Sequence, residues 1–303
     1  MDPGVMSYSK INTYKGCPFS YFLGYGLGVI VPDNPALALG SMLHTHAKRF
    51  WDINYKSVDK FVGAFRGMYL QRVFGKLKNH QPVAFKYKDE PWIRLKQGEK
   101  MIELFYRQNI RNKEREKRPI LLEKQVRAPF RGFRVLGKLD RVDELKARKK
   151  GPKKIIIDYK SDKIVPVDEL EANFVYSSQF VIYRIIHKHE FKENADVYVW
   201  YLRIGRMFLI KPKPNDKNCL EKLLIEVTDD IKKDKFPMFK GFHCKSVCEY
   251  FKPICKHIKN SDKCILELER MIRKGKLKVS KNKWKKYLER KKLIFHPVSH
   301  QLL

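Results

Sequence analysis

The sequence lacks any long apolar run. None of its apolar stretches approaches the length that crosses a bilayer, and the amino terminus MDPGVMSYSK has no apolar core of the kind found in signal peptides. Internal repeats are absent, and no low-complexity linker occurs before a Lys-rich stretch beyond residue 270. These absences predict a soluble intracellular protein of the cytoplasm or nucleoid with no membrane partner.

Acidic residues are scarce relative to basic ones. The 303 residues include 33 Asp and Glu against 65 Lys and Arg, which gives a formal net charge of +32. Because such a chain repels itself, a polyanion is its natural partner, and nucleic acid is the first candidate. The charge alone also fits a basic proteome or a ribosome-like environment.

Cysteine is uncommon and unevenly distributed. An intracellular chain is not expected to use its thiols for disulfides. The carboxyl-terminal crowding of cysteines instead indicates a metal site. The six cysteines are Cys17, Cys219, Cys244, Cys248, Cys255 and Cys264.

The order of periodic segments predicts an α/β protein. Apolar residues make up 43% of the chain, enough for a packed core. Helical spacing dominates up to residue 118, with Cys17 at the joint of two short helices and a helix over 37–51. Three strands follow (ILLEKQV, FRVLGKLDRVDEL and KKIIIDYKS), then a helix over 169–190, a hairpin turning at Gly205 and a helix over 218–234.

The strand IIIDYKS carries the first candidate chemistry. Side chains alternate along a strand, so Asp158 and Lys160 share a face and Tyr159 points to the other. Three isoleucines indicate a buried strand whose polar end opens into a cleft. A carboxylate and an ammonium placed there can hold a divalent cation and position a water. Taken alone, the fragment also fits an ordinary solvated strand end.

The preceding strand supplies a second carboxylate. Asp140 lies across a predicted hairpin from Asp158, and two converging carboxylates suit Mg²⁺ or Mn²⁺. Such an ion lowers the pKa of a bound water and neutralises charge on a phosphate oxygen. Gly137 permits a close approach. Asp143 competes for the role, but its odd spacing places it on the opposite face from Asp140.

Two helical pairs complete the candidate set. Gln179 and Tyr183 are four residues apart and share a helix face, where Gln179 can hold a phosphate or the attacking water. Gly40 and His44 are also one turn apart, and His44 is a candidate third metal ligand through a neutral imidazole nitrogen. Each pair by itself is a weak signal, since helical histidines are often surface or capping residues.

The ordered set GxxxH, GxxD, DxK and QxxxY resembles the RecB-like branch of the PD-(D/E)xK nucleases. The opening SYSKINTYKGCP is similar to the start of those domains, and the resemblance covers about residues 7 to 255. It implies a restriction-endonuclease-like core, a mixed sheet flanked by helices, with a helical insertion and a Cys-rich carboxyl-terminal region. The position before Asp140 is Leu139 rather than proline.

The resemblance also implies an iron–sulfur cluster. Some members hold a 4Fe-4S cluster with one amino-terminal and three carboxyl-terminal cysteines, which correspond here to Cys17, Cys244, Cys248 and Cys255. The spacing is three and then six residues, where two and then five is usual. The alternative is a local Zn²⁺ site using the carboxyl-terminal cysteines with Cys264, His243 or His257. Unligated thiols are a third possibility, and Cys219 is expected in a helix core.

The basic stretch 273–292 offers a nucleic-acid-binding surface. Its aromatics can stack on unpaired bases while its lysines contact phosphates. The alternative is a solvated helix whose aromatics dock onto the domain. The candidate residues are Lys283, Trp284, Lys285, Lys286 and Tyr287.

These observations predict a metal-dependent DNA nuclease. The resemblance favours an exonuclease on single-stranded DNA or DNA ends, in repair, recombination, phage replication or CRISPR spacer acquisition. The alternatives are a DNA-binding scaffold subunit with a nuclease-like fold and a zinc-containing RNA-binding protein. The predicted organisation is a nuclease domain over 1–264, with a helical subdomain over 52–118, a catalytic core over 119–235 and cysteines over 244–264, followed by a basic tail over 265–303.

Overall fold

The computed structural model describes residues 1–75, 82–114, 118–145, 153–161, 165–239, 244, 248–250, 254–258 and 264–295. The chain divides into two compact units. The sheet unit comprises residues 4–8 and 33–226, and the cysteine unit comprises residues 1–3, 9–32 and 227–303. The predicted division into a nuclease domain and a tail beyond residue 264 stays a prediction, and the two units divide the chain at other positions.

A six-stranded mixed sheet organises the sheet unit. Its strands are β1 (Met6–Ser7), β3 (Leu121–Phe130), β4 (Phe133–Leu145), β5 (Lys153–Lys160), β6 (Asp196–Tyr201) and β7 (Arg206–Ile210). They follow the order β1-β4-β5-β6-β7, and β3 also pairs with β4. β4 runs antiparallel to β3 and β5, β5 runs parallel to β6, and β7 returns antiparallel to β6.

Helices cover the sheet. The predicted helices are present, with bounds that differ by a few residues, and this arrangement of helices around a mixed sheet confirms the predicted fold class. The predicted helix over 169–190 is two helices, because the Asn173 side chain accepts a hydrogen bond from Tyr176 N at 3.2 Å and caps a new start. The helices are α3 (Pro35–Asp52), α4 (Val58–Phe74), α5 (Glu90–Glu114), α6 (Val167–Ala172), α7 (Phe174–Phe191) and α8 (Asp216–Lys232), the last of which ends in the cysteine unit.

One face of the sheet packs on α3, α4 and α5. Ile155, Ile157 and Tyr159 of β5 join one buried cluster with the aromatic side chains of these helices. By strand alternation, Ile156 and Asp158 therefore point to the other face, which α7 covers. The sequence fits this arrangement, since three consecutive isoleucines give β5 an apolar residue on both faces.

The cysteine unit gathers both ends of the chain. Its two-stranded sheet pairs β2 (Val29–Ile30) with β8 (Lys278–Val279). Short helices follow one another near the amino terminus, with Cys17 at the joint that the sequence predicts. They are α1 (Tyr8–Gly16), α2 (Pro18–Tyr21) and a π-helical turn (Phe22–Leu27), and near the carboxyl terminus a 3₁₀ turn (Cys255–His257), α9 (Cys264–Arg273) and α10 (Lys281–Phe295).

Residues 264–295 are thus mostly helical and contribute to a core. Leu268 and Leu277 are buried in one apolar cluster with Phe19, Phe22 and Leu23.

Across the part of the chain that the structure describes, no helix combines the length and apolarity of a membrane span.

Candidate active site

The carboxyl end of β5 presents a carboxylate and an ammonium on the same face. Asp158 is 2% exposed, and its Oδ2 lies 2.9 Å from Lys160 Nζ. Arg141 pairs with Ile157 across the β4–β5 ladder, so the next step of the same register brings Asp140 beside Asp158. The two carboxylates converge as the sequence predicts, because antiparallel neighbours at one register position share a face.

Helix α7 holds the inner oxygen of Asp158. Tyr183 donates its hydroxyl to Asp158 Oδ1 at 3.0 Å, and Gln179 Nε2 donates to the same oxygen at 3.1 Å. Gln179 also donates to the Tyr183 hydroxyl at 2.7 Å and accepts from Lys160 Nζ at 3.0 Å. These bonds fix the carboxylate and leave Oδ2, which makes no hydrogen bond within the described residues, directed at Lys160.

Asp140 also belongs to a second group of possible metal ligands, together with His44 and Glu123. The ligand atoms of His44, Glu123 and Asp140 all lie within 4.8 Å of one another. His44 Nδ1 is 3.2 Å from Asp140 Oδ1 and 3.3 Å from Glu123 Oε1. Glu123 Oε1 is buried and has no hydrogen-bond partner among the described residues, and Glu123 Oε2 is paired with Lys138. An imidazole with two carboxylate oxygens is a donor set that divalent cations such as Mn²⁺ and Mg²⁺ accept.

The orientation of His44 favours a metal-ligating tautomer. Its Nε2 lies 3.2 Å from the backbone oxygen of Tyr159 and can only be a donor there. In the neutral ring the lone pair is then on Nδ1, the atom that faces Asp140 and Glu123. A backbone carbonyl therefore holds the ring in the form that a cation needs.

Burial and neighbouring charges shift the pKa values of this cluster in opposite directions. Burial raises the pKa of Asp158, which Lys160 only partly offsets. Burial acts on Asp140 in the same sense, but His44, the Tyr159 amide and Lys160 hold the pKa of Asp140 below its ordinary value. Burial lowers the pKa of His44, and the attraction of Asp140 and Glu123 outweighs it, so that the pKa of His44 rises to about 10.

Asp143, the competing carboxylate, lies on the opposite face of β4 from the cluster. It is bound by Arg141, whose Nε and Nη2 donate to its two oxygens at 2.7 and 2.6 Å. Arg141 in turn donates to Asn109 Oδ1 at 2.7 Å and packs 4.8 Å from the ring centre of Trp51. Asp143 is therefore a structural partner of a buried arginine.

Two glycines permit the close packing around the cluster. A Cβ at Gly137 would lie 2.6 Å from Ile186 Cδ1 and 3.3 Å from Tyr183 Cδ1, so its absence lets α7 reach β4. A Cβ at Gly40 would lie 3.2 Å from Ser161 Oγ, and its absence lets α3 approach the end of β5. Both contacts help to position the side chains that surround Asp140 and Asp158.

Glu123 is a candidate ligand that the sequence analysis missed. It lies inside the predicted strand ILLEKQV, where a glutamate reads as an ordinary solvated residue. Its backbone φ of +52° is unusual for a non-glycine residue in a strand. Backbone strain of this kind often occurs at functional sites, but no sequence pattern predicts the positive φ of Glu123.

Tyr8 and Tyr176 form a second feature that no sequence motif indicates. Their rings meet edge to face with centroids 5.9 Å apart, and Lys160 Nζ lies 5.7 Å from the ring centre of Tyr176. Both side chains are partly exposed. They form an aromatic pair, here called the tyrosine pair, beside the ammonium of the cluster.

In the cysteine unit, four cysteines lie near one another. Burial, followed by the nearby thiols of Cys248, Cys17 and Cys244, raises the pKa of Cys255 to about 12. Cys17, Cys248 and Cys255 also belong to one apolar cluster. The chain thus brings an amino-terminal cysteine to three that are more than two hundred residues away.

The remaining cysteine predictions have different outcomes. The expectation that Cys219 is a core residue is wrong, since its side chain is exposed. It lies in the first turn of α8, and the buried stripe begins one residue later at Leu220. His243 and the side chains of His257 and Cys264, which the zinc alternative requires, lie outside the described residues.

The aromatic side chains of α10 face inward. Trp284 and Tyr287 stack on each other with centroids 5.3 Å apart and pack partly buried on the core of the cysteine unit. Tyr287 donates to Glu269 at 2.8 Å, and Lys283 Nζ donates to the Gly24 carbonyl at 3.1 Å. This is the docked arrangement, the alternative to base stacking. Lys285 and Lys286 remain exposed on the outer side of the helix.

Comparison with known proteins places the chain in a family. The sequence profile described as the PD-(D/E)XK nuclease superfamily matches residues 5–256. No curated protein matches the chain. Among solved structures, a protein from Eubacterium rectale assigned as an exonuclease is similar, with 14% identity, 87% of this chain and 92% of that chain covered and a TM-score of 0.49. Because the family profile covers most of the sequence, the chain belongs to the PD-(D/E)XK nuclease superfamily.

Proposed function

We propose that this protein is a metal-dependent DNA nuclease that hydrolyses phosphodiester bonds at the cluster of Asp140, Asp158 and Lys160. The observation that carries the proposal is the meeting of these side chains with the His44–Glu123–Asp140 group, a set of hard donors beside a fixed ammonium. A pure scaffold has no need of a buried carboxylate held by both Gln179 and Tyr183.

Each side chain has a role that its contacts support. His44, Glu123 and Asp140 would hold a divalent cation, and Asp158 would contribute Oδ2, the oxygen that also faces Lys160. Such a cation, when bound, lowers the pKa of a water and neutralises charge on the scissile phosphate. Lys160 stays protonated, since Asp158 outweighs the effect of burial and raises its pKa. Its ammonium can orient the attacking water or stabilise the phosphate, and Gln179 keeps it in place.

Two exchanges test the catalytic assignment. In Asp158→Asn and Lys160→Gln we expect the cleavage rate to fall about a thousand-fold, equivalent to about 4 kcal/mol. DNA affinity should change little, because the basic surface still contacts phosphates. The assay is digestion of end-labelled DNA with Mg²⁺, Mn²⁺ or chelator, and Asp59→Asn, an exposed change on α4, is the matched control. Normal cleavage by either variant would place the chemistry elsewhere, and binding without any metal-dependent cleavage by the wild type would favour the scaffold alternative.

We further propose that the substrate enters as a single strand or a DNA end. The tyrosine pair beside Lys160 supports this, since an unpaired base can stack on a partly exposed tyrosine ring and the paired bases of a duplex cannot. Tyr176→Ala should raise KM for single-stranded DNA about 5- to 150-fold, the equivalent of 1–3 kcal/mol per stacked base. Tyr176→Phe keeps the ring and should retain a KM near that of the wild type.

The mode of attack is tested separately. An exonuclease leaves circular single-stranded DNA intact and degrades the same molecule after linearisation. Loss of the circle under conditions that degrade the linear form would instead assign an endonuclease.

An equal KM for single strands in Tyr176→Ala and the wild type would remove the tyrosine pair from substrate recognition.

We also propose that Cys17, Cys244, Cys248 and Cys255 hold a 4Fe-4S cluster with a structural role. The raised pKa of Cys255, about 12, supports this proposal. A thiol with such a pKa ionises to the thiolate near neutral pH only when a soft metal compensates the charge. Iron and sulfide analysis of anaerobically purified protein tests the proposal. Zinc without iron, together with free alkylation of Cys17, would favour the local zinc site.

Of the predicted nucleic-acid surface on α10, the exposed lysines remain accessible to a ligand. We propose that Lys285 and Lys286 contact phosphates, since their side chains are exposed while Trp284 and Tyr287 face the core. Replacing both lysines with glutamine should lower the salt dependence of DNA binding, and an unchanged salt dependence would remove them from the interface.

A further inference from the structure

A cavity of about 940 Å³ lies in the sheet unit on the far side of α7 from the carboxylates. The α7 side chains that line it follow helical spacing, namely Val181, Arg184, Ile185 and Lys188. At 100° per residue, the mean direction of these four is about 180° from that of Gln179 and Tyr183, the α7 residues that hold Asp158. The cavity is therefore distinct from the catalytic cluster.

The cavity combines an apolar surface with cations. Phe130, Val181 and Ile185 provide apolar lining, and the volume lies in the range typical of small-molecule sites. Six basic side chains line the same cavity against two acidic ones, Asp196 and Asp216. The basic residues are Arg131, Lys153, Arg184, Lys188, Lys213 and Lys217.

Both acidic residues are already engaged. Asp196 pairs with Lys153 across neighbouring strands, with 2.5 Å between Lys153 Nζ and Asp196 Oδ2. Asp216 accepts a hydrogen bond from the Lys213 amide at 2.9 Å at the start of α8. Within the described residues neither carboxylate forms an ion pair with Arg184, Lys188 or Lys217, although the charges of Asp216 and Asp196 act on Arg184 at longer range.

Arg184 is the most informative of these cations. Its guanidinium is partly buried in the cavity wall, and its one hydrogen bond within the described residues goes to the Ile210 carbonyl. A guanidinium carries five N–H donors, so most of the fork is available to a ligand. A planar fork of this kind binds the oxygens of a phosphate in a bidentate manner.

Two lysines extend the positive surface. Lys188 lies one turn after Arg184 on α7, and Lys217 lies in the first turn of α8. Neither ammonium forms an ion pair within the part of the chain that the structure describes, although both line the cavity. An apolar wall edged by three available cations matches a ligand with a ring at one end and a phosphate at the other.

We propose that this cavity is a second nucleotide-binding site, in which Arg184, Lys188 and Lys217 bind phosphate and the wall formed by Phe130 and Ile185 receives the base. The proposal rests on the proposed function, because a DNA nuclease meets such ligands as substrate and product. The nucleotide belongs either to a bound strand or to a released mononucleotide. Lys153 lies five residues before Asp158 on β5, about 17 Å along the strand, so only a longer strand reaches both sites.

Equilibrium binding tests the site without requiring cleavage. The wild type and Lys188→Gln/Lys217→Gln are titrated, without added divalent metal, against fluorescein-labelled thymidine oligonucleotides of about 4 and about 16 nucleotides, since a nucleotide spans at least about 3.4 Å. For the longer strand, loss of two phosphate contacts should lower the slope of log Kd against log salt concentration by about 1.4. The shorter strand cannot reach both sites. It should bind both proteins alike if the cavity contacts a bound strand, and it should bind the double variant more weakly if the cavity takes a free nucleotide.

A matched control separates the site from general charge. Lys96→Gln/Lys100→Gln removes two exposed lysines from α5 and changes the net charge by the same amount. Its salt slope should stay near that of the wild type. A second variant, Ile185→Trp, fills the cavity without changing the charge and should weaken the same binding, which guards against an effect of charge alone.

The source of the nucleotide is decided by a second ligand. Binding of thymidine 5′-monophosphate to the wild type and its loss in Lys188→Gln/Lys217→Gln would assign a site for the free nucleotide. An effect confined to the longer strand would assign a contact with the bound strand. If the double variant matches Lys96→Gln/Lys100→Gln with every ligand, the site does not exist, whatever the outcome of the cleavage assay.

Discussion

Metal binding at the His44–Glu123–Asp140 group should release close to one proton at pH 8. Burial lowers the pKa of His44, and Asp140 with Glu123 raises it to about 10 in the metal-free protein. At pH 8 the ring is then about 99% protonated, and Nδ1 cannot ligate until that proton leaves. The affinity for Mn²⁺ should therefore rise about tenfold for each pH unit between pH 7 and pH 8.5.

The raised pKa of His44 also makes the stability of the metal-free fold depend on pH. A raised pKa means that protonated His44 stabilises the metal-free fold at low pH, where the ring is charged in both the folded and unfolded states. This contribution is lost as the pH rises through about 10. Bound Mn²⁺ replaces the proton, so the loss should disappear in the loaded protein.

Isothermal titration with Mn²⁺ in buffers of different ionisation enthalpy counts the released protons directly. His44→Gln should bind more weakly and release almost none at pH 8, whereas His189→Gln, an exposed change on α7, should behave as the wild type. Asp158, whose pKa burial raises, adds proton release at lower pH, and this part persists in His44→Gln. Equal proton release by His44→Gln and the wild type would refute the ligand assignment.

Three further outcomes are expected. Gly137→Ala should lower the melting temperature and the cleavage rate by displacing α7, since its Cβ would lie 2.6 Å from Ile186 Cδ1, and Ile186→Val in the same protein should restore part of both. Gln179→Leu should reduce kcat at least tenfold with little change in strand binding, as kinetics on labelled single strands will report. Cys17→Ala should bleach iron–sulfur absorbance at about 400 nm and lower the melting temperature, whereas Cys219→Ala should do neither.

The sequence determined the local geometry of the site. Strand alternation alone placed Asp158 and Lys160 on one face and Tyr159 on the other, and the structure has this arrangement. The spacing of four between Gln179 and Tyr183 likewise placed both on one side of a helix, where both bond Asp158. These relations were predictable because the periods of strands and helices are fixed by the backbone and do not depend on the rest of the fold.

The tertiary structure decided what meets across the chain. Glu123 joins His44 and Asp140 only because β3 pairs with β4 and its backbone takes a positive φ at that residue, and neither fact has a local signature. The tyrosine pair forms because Tyr8, the residue directly after β1, meets Tyr176 of α7, which is distant in the sequence. Packing also turned Trp284 and Tyr287 inward and left Cys219 outside. Such contacts depend on how elements dock, which is a property of the whole core and not of any single periodic segment.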